Sequence, residues 1–426
     1  MDRALLVEGV ALYLPLVSAL LVGILGAWHQ RVWVAVLVSV VWHAVMLPVV
    51  NLWMVSAGGW GFPSEGSLVL GMPVGLYLGW VVLWGSLATF LQFFIRRLGW
   101  LMATVVTVVL SLVIDLLLMP MLSPLLELEE GWLIGEALLI LLVLVPSLVM
   151  NYAVIEYHWV EFRALFVSLT FILLATFLLP FMVESSALSA AMERIGERGR
   201  IENGMFVVVL LFLAVPGVSG VIEFATRGGG TPIPYDPPVK LVTTGVYAYC
   251  RNPMQLSMCF CLLVWGWMIG SWVPVVVAVM SVVYSLGIAN WSEGEDMQRR
   301  FGAEWGSYRK GRRPYMVRLT PVSYPEGQLY ISQTCGICGQ LRLWLKKQNP
   351  EALEMRDAEE HHEILSRIRY ERGDVVEDGV RAVAEAFQHL DVRFAYIGWV
   401  MKMPMMDRVL QAALDASGAE ARACRS

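Results

Sequence analysis

The stretch LVTTGVYAYCRNPMQLSMCF (Leu241–Phe260) sets arginine, asparagine and glutamine hard against the start of an apolar segment. A second polar stretch, SEGEDMQRRFGAEWGSYRKGRRPY (Ser292–Tyr315), closes the same region after two closely spaced apolar runs. Arg251, Asn252 and Gln255 stand at the opening, and Glu293, Glu295 and Asp296 at the close. Ionisable groups held against a bilayer are costly, so a cluster of them marks a functional region by default. The expectation is a membrane-edge active site built around a helical hairpin.

The rest of the chain supports a bilayer setting. Its 57 % hydrophobic content and mean hydropathy of +0.62 exceed the roughly 45–50 % apolar content of soluble domains. Seventeen tryptophans suit interfacial belts. Runs long enough to span lie at 9–27, 32–56, 69–95, 100–119, 132–150, 163–182 and 204–224, since a crossing takes roughly 20 residues. Two shorter runs, 254–270 and 272–290, are parted only by Gly270-Ser271 and read as a tight hairpin, which makes about nine transmembrane helices. Residues 1–150 hold the first helices and no motif; His43, Asp115 and Glu136 either line a path there or hydrogen-bond between helices. Residues 151–320 carry the polar stretches, and 321–426 form a soluble domain, for close to half of all charges fall in the last quarter of the chain.

Loop charges give an orientation. Arg96-Arg97 and the loop with Arg227, Lys240 and Arg251 share one side with the C-terminus, whereas the loops at 57–68 and around Glu127, Glu129 and Glu130 lack Lys and Arg. The positive-inside rule then places the N-terminus outside and the C-terminal domain in the cytosol. The loop Ser185–Asn203 opposes this with Arg194, Arg198 and Arg200, balanced by four glutamates, and reads as an interfacial helix. No cleavable signal peptide is expected, because Asp2, Arg3 and Glu8 interrupt the first ten residues.

The two polar stretches resemble the integral-membrane methyltransferases of the isoprenylcysteine carboxyl methyltransferase and phospholipid N-methyltransferase superfamily. Their signature, G-P-Y-x-Y-x-R-[HN]-P-x-Y-x-G followed by a hairpin and E-E-x(6)-F-G-x-x-Y-x-x-Y, is resembled by Gly245-Val246-Tyr247-Ala248-Tyr249-Cys250-Arg251-Asn252-Pro253 and by Glu293-Gly294 and Phe301-Gly302-Ala303-Glu304-Trp305-Gly306-Ser307-Tyr308. Gln255 and Ser257 stand where many members have Tyr and Gly, and Gly294 replaces the second glutamate. Glu295 could take that role, although two residues along a helix turn a side chain by about 200°.

The resemblance implies S-adenosyl-L-methionine as methyl donor and a membrane lipid or other lipophilic acceptor, with no nucleic-acid partner. It implies cofactor binding by Gly245, Tyr247, Arg251, Asn252, Pro253, Gln255, Glu293 and Glu295, with Arg251 and Glu293 catalytic. The chemistry agrees, since in-line methyl transfer rests mainly on alignment and exclusion of water. Asn252-Pro253 can cap and start a helix, aiming its N–H groups and positive dipole end near Arg251 at a carboxylate. Glu293 could hold an ammonium, and Tyr247, Tyr249, Trp291 or Trp305 could face an adenine or a sulfonium. Each has a plainer reading: a helix cap, an arginine on lipid phosphate, or an ion-pair face of Glu293, Asp296 and Arg300. Cys250, Cys259 and Cys261 read as packing residues.

GQLYIS (Gly327–Ser332) reads as a strand and QLRLWLKK (Gln340–Lys347) as a helix, with Cys335-Gly336-Ile337-Cys338 between them. Strand, CxxC, helix is the order of a thioredoxin-like redox motif. With RYERGDVVEDGVRAVAEAFQHLD (Arg369–Asp391), the region resembles the DCC-type thiol–disulfide oxidoreductase-like domain, a small α/β thioredoxin-like fold, though Ser332-Gln333-Thr334 replaces that family's acidic D-G-x. Cys335 would attack as thiolate and Cys338 resolve, which implies a thiol redox partner. No metal is expected, since adjacent His361 and His362 lack the H-x(3–5)-H spacing of zinc sites.

The leading expectation is a polytopic methyltransferase in the bacterial inner membrane. Two rivals stand beside it: a membrane-anchored thiol–disulfide oxidoreductase with a degenerate methyltransferase-like anchor, and a non-enzymatic lipid carrier or transporter.

Overall fold

The computed structural model describes residues 3–26, 29–63, 68–184, 187–233, 235–322 and 324–416; the side chains of residues 3, 4, 288–290, 292 and 293 lie outside the description. Seven described helices are long and apolar enough to cross a membrane. These are α1 (Leu5–Gly26), α2 (Gln30–Ser56), α3 (Val74–Leu98), α4 (Trp100–Leu122), α5 (Trp132–Ile155), α6 (Val160–Val183) and, after the short α7 (Ala187–Glu197), α8 (Arg200–Thr226). The protein is a polytopic, mostly helical membrane protein.

Of the about nine helices expected, seven among the described residues reach the length of a full crossing, and the two of the hairpin are shorter apolar helices. The hairpin helices α9 (Pro253–Ile269) and α10 (Val273–Tyr284) have 17 and 12 residues. At 1.5 Å per residue the first reaches about 25 Å, less than a hydrocarbon core of roughly 30 Å. Gly270, at φ +73°, ends the first of them. A π-helical turn at Ser285–Ala289 ends the second, and the helix then runs on as the charged α11 (Asn290–Gly311). Further π turns interrupt α5 at Ile140–Leu144 and α6 at Leu174–Leu178. Pro146 and Pro180 follow these within two residues, and a proline ring that excludes the carbonyl four residues back is one cause of such a widened turn.

The chain forms two compact units. The first comprises residues 1–194, 231–237 and 269–274. Its core holds Trp42, Leu76, Trp84, Phe90, Leu144 and Leu148. Helix α1 meets α3 at glycines: a Cβ on Gly79 would lie 2.1 Å from the Ala11 carbonyl oxygen, and one on Gly75 would strike Glu8. Small residues at such crossings allow the close backbone approach on which helix association in lipid depends. Arg163 and Asp236, both buried, pair at 2.5 Å.

The second unit comprises residues 195–230, 238–268 and 275–426. It carries α8, the hairpin helices, α11 and a four-stranded sheet. The strands are β1 (Gly327–Ile331), β2 (Leu353–Asp357), β3 (Arg369–Arg372) and β4 (Val375–Asp378), in the order β2-β1-β3-β4. The β1–β2 pair is parallel, and β1–β3 and β3–β4 are antiparallel. Helix α12 (Gly336–Gln348) makes the crossover from β1 to β2, and α13 (Val380–Phe387), α14 (Val392–Met401) and α15 (Met406–Ala416) follow the sheet. Leu329, Ile331, Leu345, Tyr370, Ala382, Ala386 and Leu390 form its core.

His389 sits at the edge of that core, 1 % exposed. Its Nδ1 faces the Glu351 carbonyl at 2.6 Å and its Nε2 the Tyr370 hydroxyl at 2.8 Å. A carbonyl only accepts, so Nδ1 carries the proton and the phenol donates to Nε2. Burial pulls the His389 pKa down to about 4. A depressed histidine contributes stability that is complete above its unfolded value of about 6.5 and is lost as pH falls through the folded value. Denaturant unfolding monitored on the sheet domain should therefore lose about 3 kcal/mol between pH 6.5 and 4, at about 1.4 kcal/mol per pKa unit. In His389→Gln this pH dependence should flatten.

Candidate functional site

The site begins at a glycine that no other residue could replace without strain. Gly245 has φ +61°, and a Cβ there would lie 2.6 Å from the Glu223 carboxyl carbon. It opens a 3-10 turn, Gly245–Ala248, that carries the chain toward α9. The Gly245 N–H donates to the Tyr324 hydroxyl at 3.3 Å, and Tyr324 donates to the Gln388 side chain at 3.1 Å.

The segment after α11 returns along this turn. Arg251 N–H bonds Arg313 O at 3.3 Å and Asn252 N–H bonds Pro314 O at 3.2 Å. Arg318 N–H bonds Tyr249 O at 3.0 Å and Val322 N–H bonds Ala248 O at 3.3 Å. The ends of the two polar stretches are thereby joined, although about 60 residues and a hairpin separate them in sequence. Pro253 is the first residue of α9, and Leu256 N–H bonds Asn252 O at 3.0 Å, so Asn252 stands at the helix entry.

Gln255 knits the hairpin to the returning segment. Its Nε2 donates to Ser281 O at 2.7 Å and Ser281 Oγ at 2.9 Å, and its Oε1 accepts from the Tyr315 hydroxyl at 2.8 Å. Ser257 donates to Leu213 O, and a Cβ on Gly217 would collide with the Ser257 hydroxyl. The serine therefore fills a tight crossing of α8 and α9.

The aromatic residues divide into two sets. Tyr247 and Tyr249 are buried, with their hydroxyls donated to Gly220 O at 3.3 Å and to Gln388 O and Leu390 O at 2.9 and 2.7 Å. Trp305 is enclosed and stacked on Tyr308. Trp291, in contrast, is 67 % exposed. With Gly294, Glu295, Gln298, Arg299 and Arg309 it lines an open groove of about 690 Å³. Burial, then the nearby Arg309 cation, lowers the pKa of Arg251, so two cations stand close together at this end of the groove. Asp296 pairs along its helix with Arg300 at 3.4 Å and with Arg299 at 3.9 Å. The Glu293 side chain lies outside the described residues.

A buried ionic quartet underlies the turn. Glu223 on α8 bonds Arg227 at 2.7 Å and Lys402 at 2.6 Å, and Glu385 on α13 bonds the same two cations at 2.5 and 2.6 Å. The four side chains are 0–17 % exposed. Burial works against the charges of Lys402 and Glu385. Even so, Glu223 and Glu385 hold Lys402 above its ordinary pKa, and Lys402 and Arg227 hold Glu385 below its own. Two cations and two anions cancel, so the quartet is ionised and neutral as a whole. Lys402 carries no sequence signal, since it lies 179 residues from Glu223. Tyr315 and Arg309 were discoverable, being inside the second polar stretch.

Among the cysteines, Cys250 is buried, donates to Pro314 O at 3.4 Å and has its pKa raised by burial. Cys259 and Cys261 face helix carbonyls at 3.7 and 3.9 Å. Cys335 is the N-cap of α12, where its Sγ accepts from Cys338 N–H at 3.4 Å. His361, His362 and Glu363 lie together at the surface, but His361 is already engaged by Glu363 N–H at 3.0 Å and Glu371 at 3.1 Å. Cys424 lies outside the described residues.

The fold defines the class as a polytopic, mostly helical membrane protein, and its second unit carries an open polar groove along α11. The phospholipid methyltransferase family model matches residues 204–304, which takes in α8, the turn, the hairpin helices and most of α11. That match supports a membrane methyltransferase-type function in general. No curated protein and no solved structure matches the chain.

Proposed function

We propose that the protein transfers a methyl group from S-adenosyl-L-methionine to a lipophilic acceptor at the membrane surface. The observation that carries this reading is the groove beside α11 within the family-matched segment, with Arg309 linking it electrostatically to Arg251 at the α9 N-terminus. The residues fit the donor. The groove's volume is within the roughly 300–1,000 Å³ of small-molecule sites. Arg251, Arg309 and the helix N-terminus offer positive potential to a carboxylate. Glu295 offers a counter-charge to an ammonium, and the exposed Trp291 face suits a flat ring or a cation. S-adenosylmethionine would supply an electrophilic methyl group on a positively charged leaving sulfur. The chain's own part is alignment and exclusion of water, the terms that dominate in-line displacement. An amine acceptor must first lose a proton, whereas a carboxylate or thiolate need not.

Several attributes follow from the same reading. The C-terminal domain faces the cytosol, the membrane is a bacterial inner membrane, and residues 1–150, 151–320 and 321–426 act as helical bundle, methyltransferase part and soluble domain. Purified protein in lipid nanodiscs, given methyl-labelled donor and membrane lipid extract, should pass label into the lipid phase. Arg251→Ala should slow this roughly 10- to 100-fold, the equivalent of about 1.5–3 kcal/mol for a hydrogen bond to a charged group. Label no higher than in a heat-denatured control would count against the reading.

A thiol role for the C-terminal domain has its own support. The β2-β1-β3-β4 order with a helical β1–β2 crossover suits a thioredoxin-like core, and a thiol at a helix N-terminus is favoured as thiolate. Titrating Cys335 and Cys338 with a thiol reagent across redox buffers tests it: loss of two thiols together in a single transition supports a dithiol centre, and independent reaction at ordinary thiol pH does not.

A further inference from the structure

The N-terminal bundle buries two carboxyl groups that nothing in the methyltransferase reading uses. Asp115 on α4 is fully buried and Glu136 on α5 is 1 % exposed. None of their four oxygens has a hydrogen-bond partner of good geometry. They are close enough to act on each other, and Asp115 also feels the Trp80 and Trp84 indoles of α3. Trp84 is itself 1 % exposed, and its N–H likewise lacks a partner. From α2, His43 packs edge-on against Trp84 at 6.1 Å, with an unpartnered Nε2.

No cation of the chain is available to this cluster from its own helices. The sequence has no Lys or Arg between Arg31 and Arg96, or between Arg97 and Arg163, so α2 to α5 offer none in their apolar spans. Two adjacent carboxylates in an apolar interior cannot both be charged. With no Lys or Arg on these helices, a proton held by one of the two carboxyls is the simplest way to leave the pair with no more than one negative charge. A cavity of about 30 Å³ lies on the loop side, lined by Asn51, Trp60, Phe62, Trp80, Met119 and Leu139 among others. Met119 is one turn from Asp115, and Leu139 one turn from Glu136. That volume exceeds the roughly 10–15 Å³ a water needs, and the Asn51 Nδ2 beside it is unpartnered. Along α4 the buried face continues through Thr107, Ser111 and Asp115, spaced by four residues.

We propose that Asp115 and Glu136 form a membrane-buried proton-binding site that holds one exchangeable proton between two carboxyl groups, loaded from the side of the 57–68 loop. The proton is shared as a carboxylic acid donating to a carboxylate, which satisfies one oxygen of each group. The buried Trp84 N–H, itself unpartnered, belongs to the same cluster. His43 of α2, packed against the Trp84 indole, is a further titratable group beside this cluster.

Infrared spectroscopy of the full-length protein in nanodiscs tests this. Wild type at neutral pH should show the C=O stretch of a protonated carboxyl that Asp115→Asn/Glu136→Gln lacks, and the band should bleach reversibly as pH is raised. The amide pair is isosteric and removes a buried charge, so it is expected to fold. Should it fail to, the bleaching of the wild-type band with pH still decides. No protonated-carboxyl band, or one insensitive to pH and to both substitutions, would overturn the proposal. A band displaced by sodium, potassium or calcium at constant pH would also overturn it, because a metal ion would then be the bound cation.

Discussion

Replacing Lys402 with methionine should destabilise the second unit by about 3–5 kcal/mol, the usual cost of removing one partner from a buried ion pair. The substitution keeps most of the side-chain volume, so the loss is electrostatic. It leaves Glu223 and Glu385 facing a single Arg227, with net negative charge in a site at most 17 % exposed. Adding Glu385→Gln restores neutrality and should recover much of the loss. Denaturant unfolding of wild type, both single variants and the double closes a cycle whose coupling should exceed about 1 kcal/mol for groups in direct contact. Additive effects would mean that the four charges do not act as one cluster. The same variant should weaken donor binding, because Glu223 is the wall on which Gly245 and the 3-10 turn rest.

Gly245→Ala should be the most damaging single-methyl change in the turn. At φ +61° a non-glycine residue bears a strain of roughly 1–2 kcal/mol. The added Cβ also meets the Glu223 carboxyl at 2.6 Å, and that carboxyl is held by Arg227 and Lys402 and cannot swing away. Together these give an expected loss of about 2–4 kcal/mol, at the upper end of single substitutions. The damage should fall on donor affinity as much as on stability, since the turn delivers Arg251 and Asn252. Thermal unfolding and donor titration on the same sample separate the two. Wild-type stability and affinity in Gly245→Ala would show that the turn tolerates another conformation.

These outcomes depend on contacts of very different legibility. Helix boundaries near Pro253 and Gly270 could be read locally, because proline and glycine impose backbone conformations wherever they stand. The seven long spans were legible for a similar reason, since bilayer thickness converts directly into apolar run length. Apolar content alone did not show where α10 gives way to a π turn and a charged helix. The Glu223–Lys402 contact was out of reach, as no periodicity links residues in different elements so far apart. Asp115 and Glu136 stood out singly as polar residues in apolar runs; only the packing of α4 against α5 shows that they meet. Tyr247 and Tyr249 offer ring faces to a ligand on sequence grounds, and burial instead turns both hydroxyls into ties for the surrounding backbone. Sequence reading named the two polar stretches, and folding joins their ends and supplies the contacts beneath them.

The most direct test of the central claim is titration of S-adenosylmethionine into purified, lipid-restored protein, with Arg251→Ala and Glu293→Gln alongside wild type. The account predicts micromolar binding to wild type, weakened by both substitutions, with Arg251→Ala losing roughly tenfold or more for one charge-assisted contact. No binding to a well-folded wild-type sample, or binding that both variants retain in full, would contradict it.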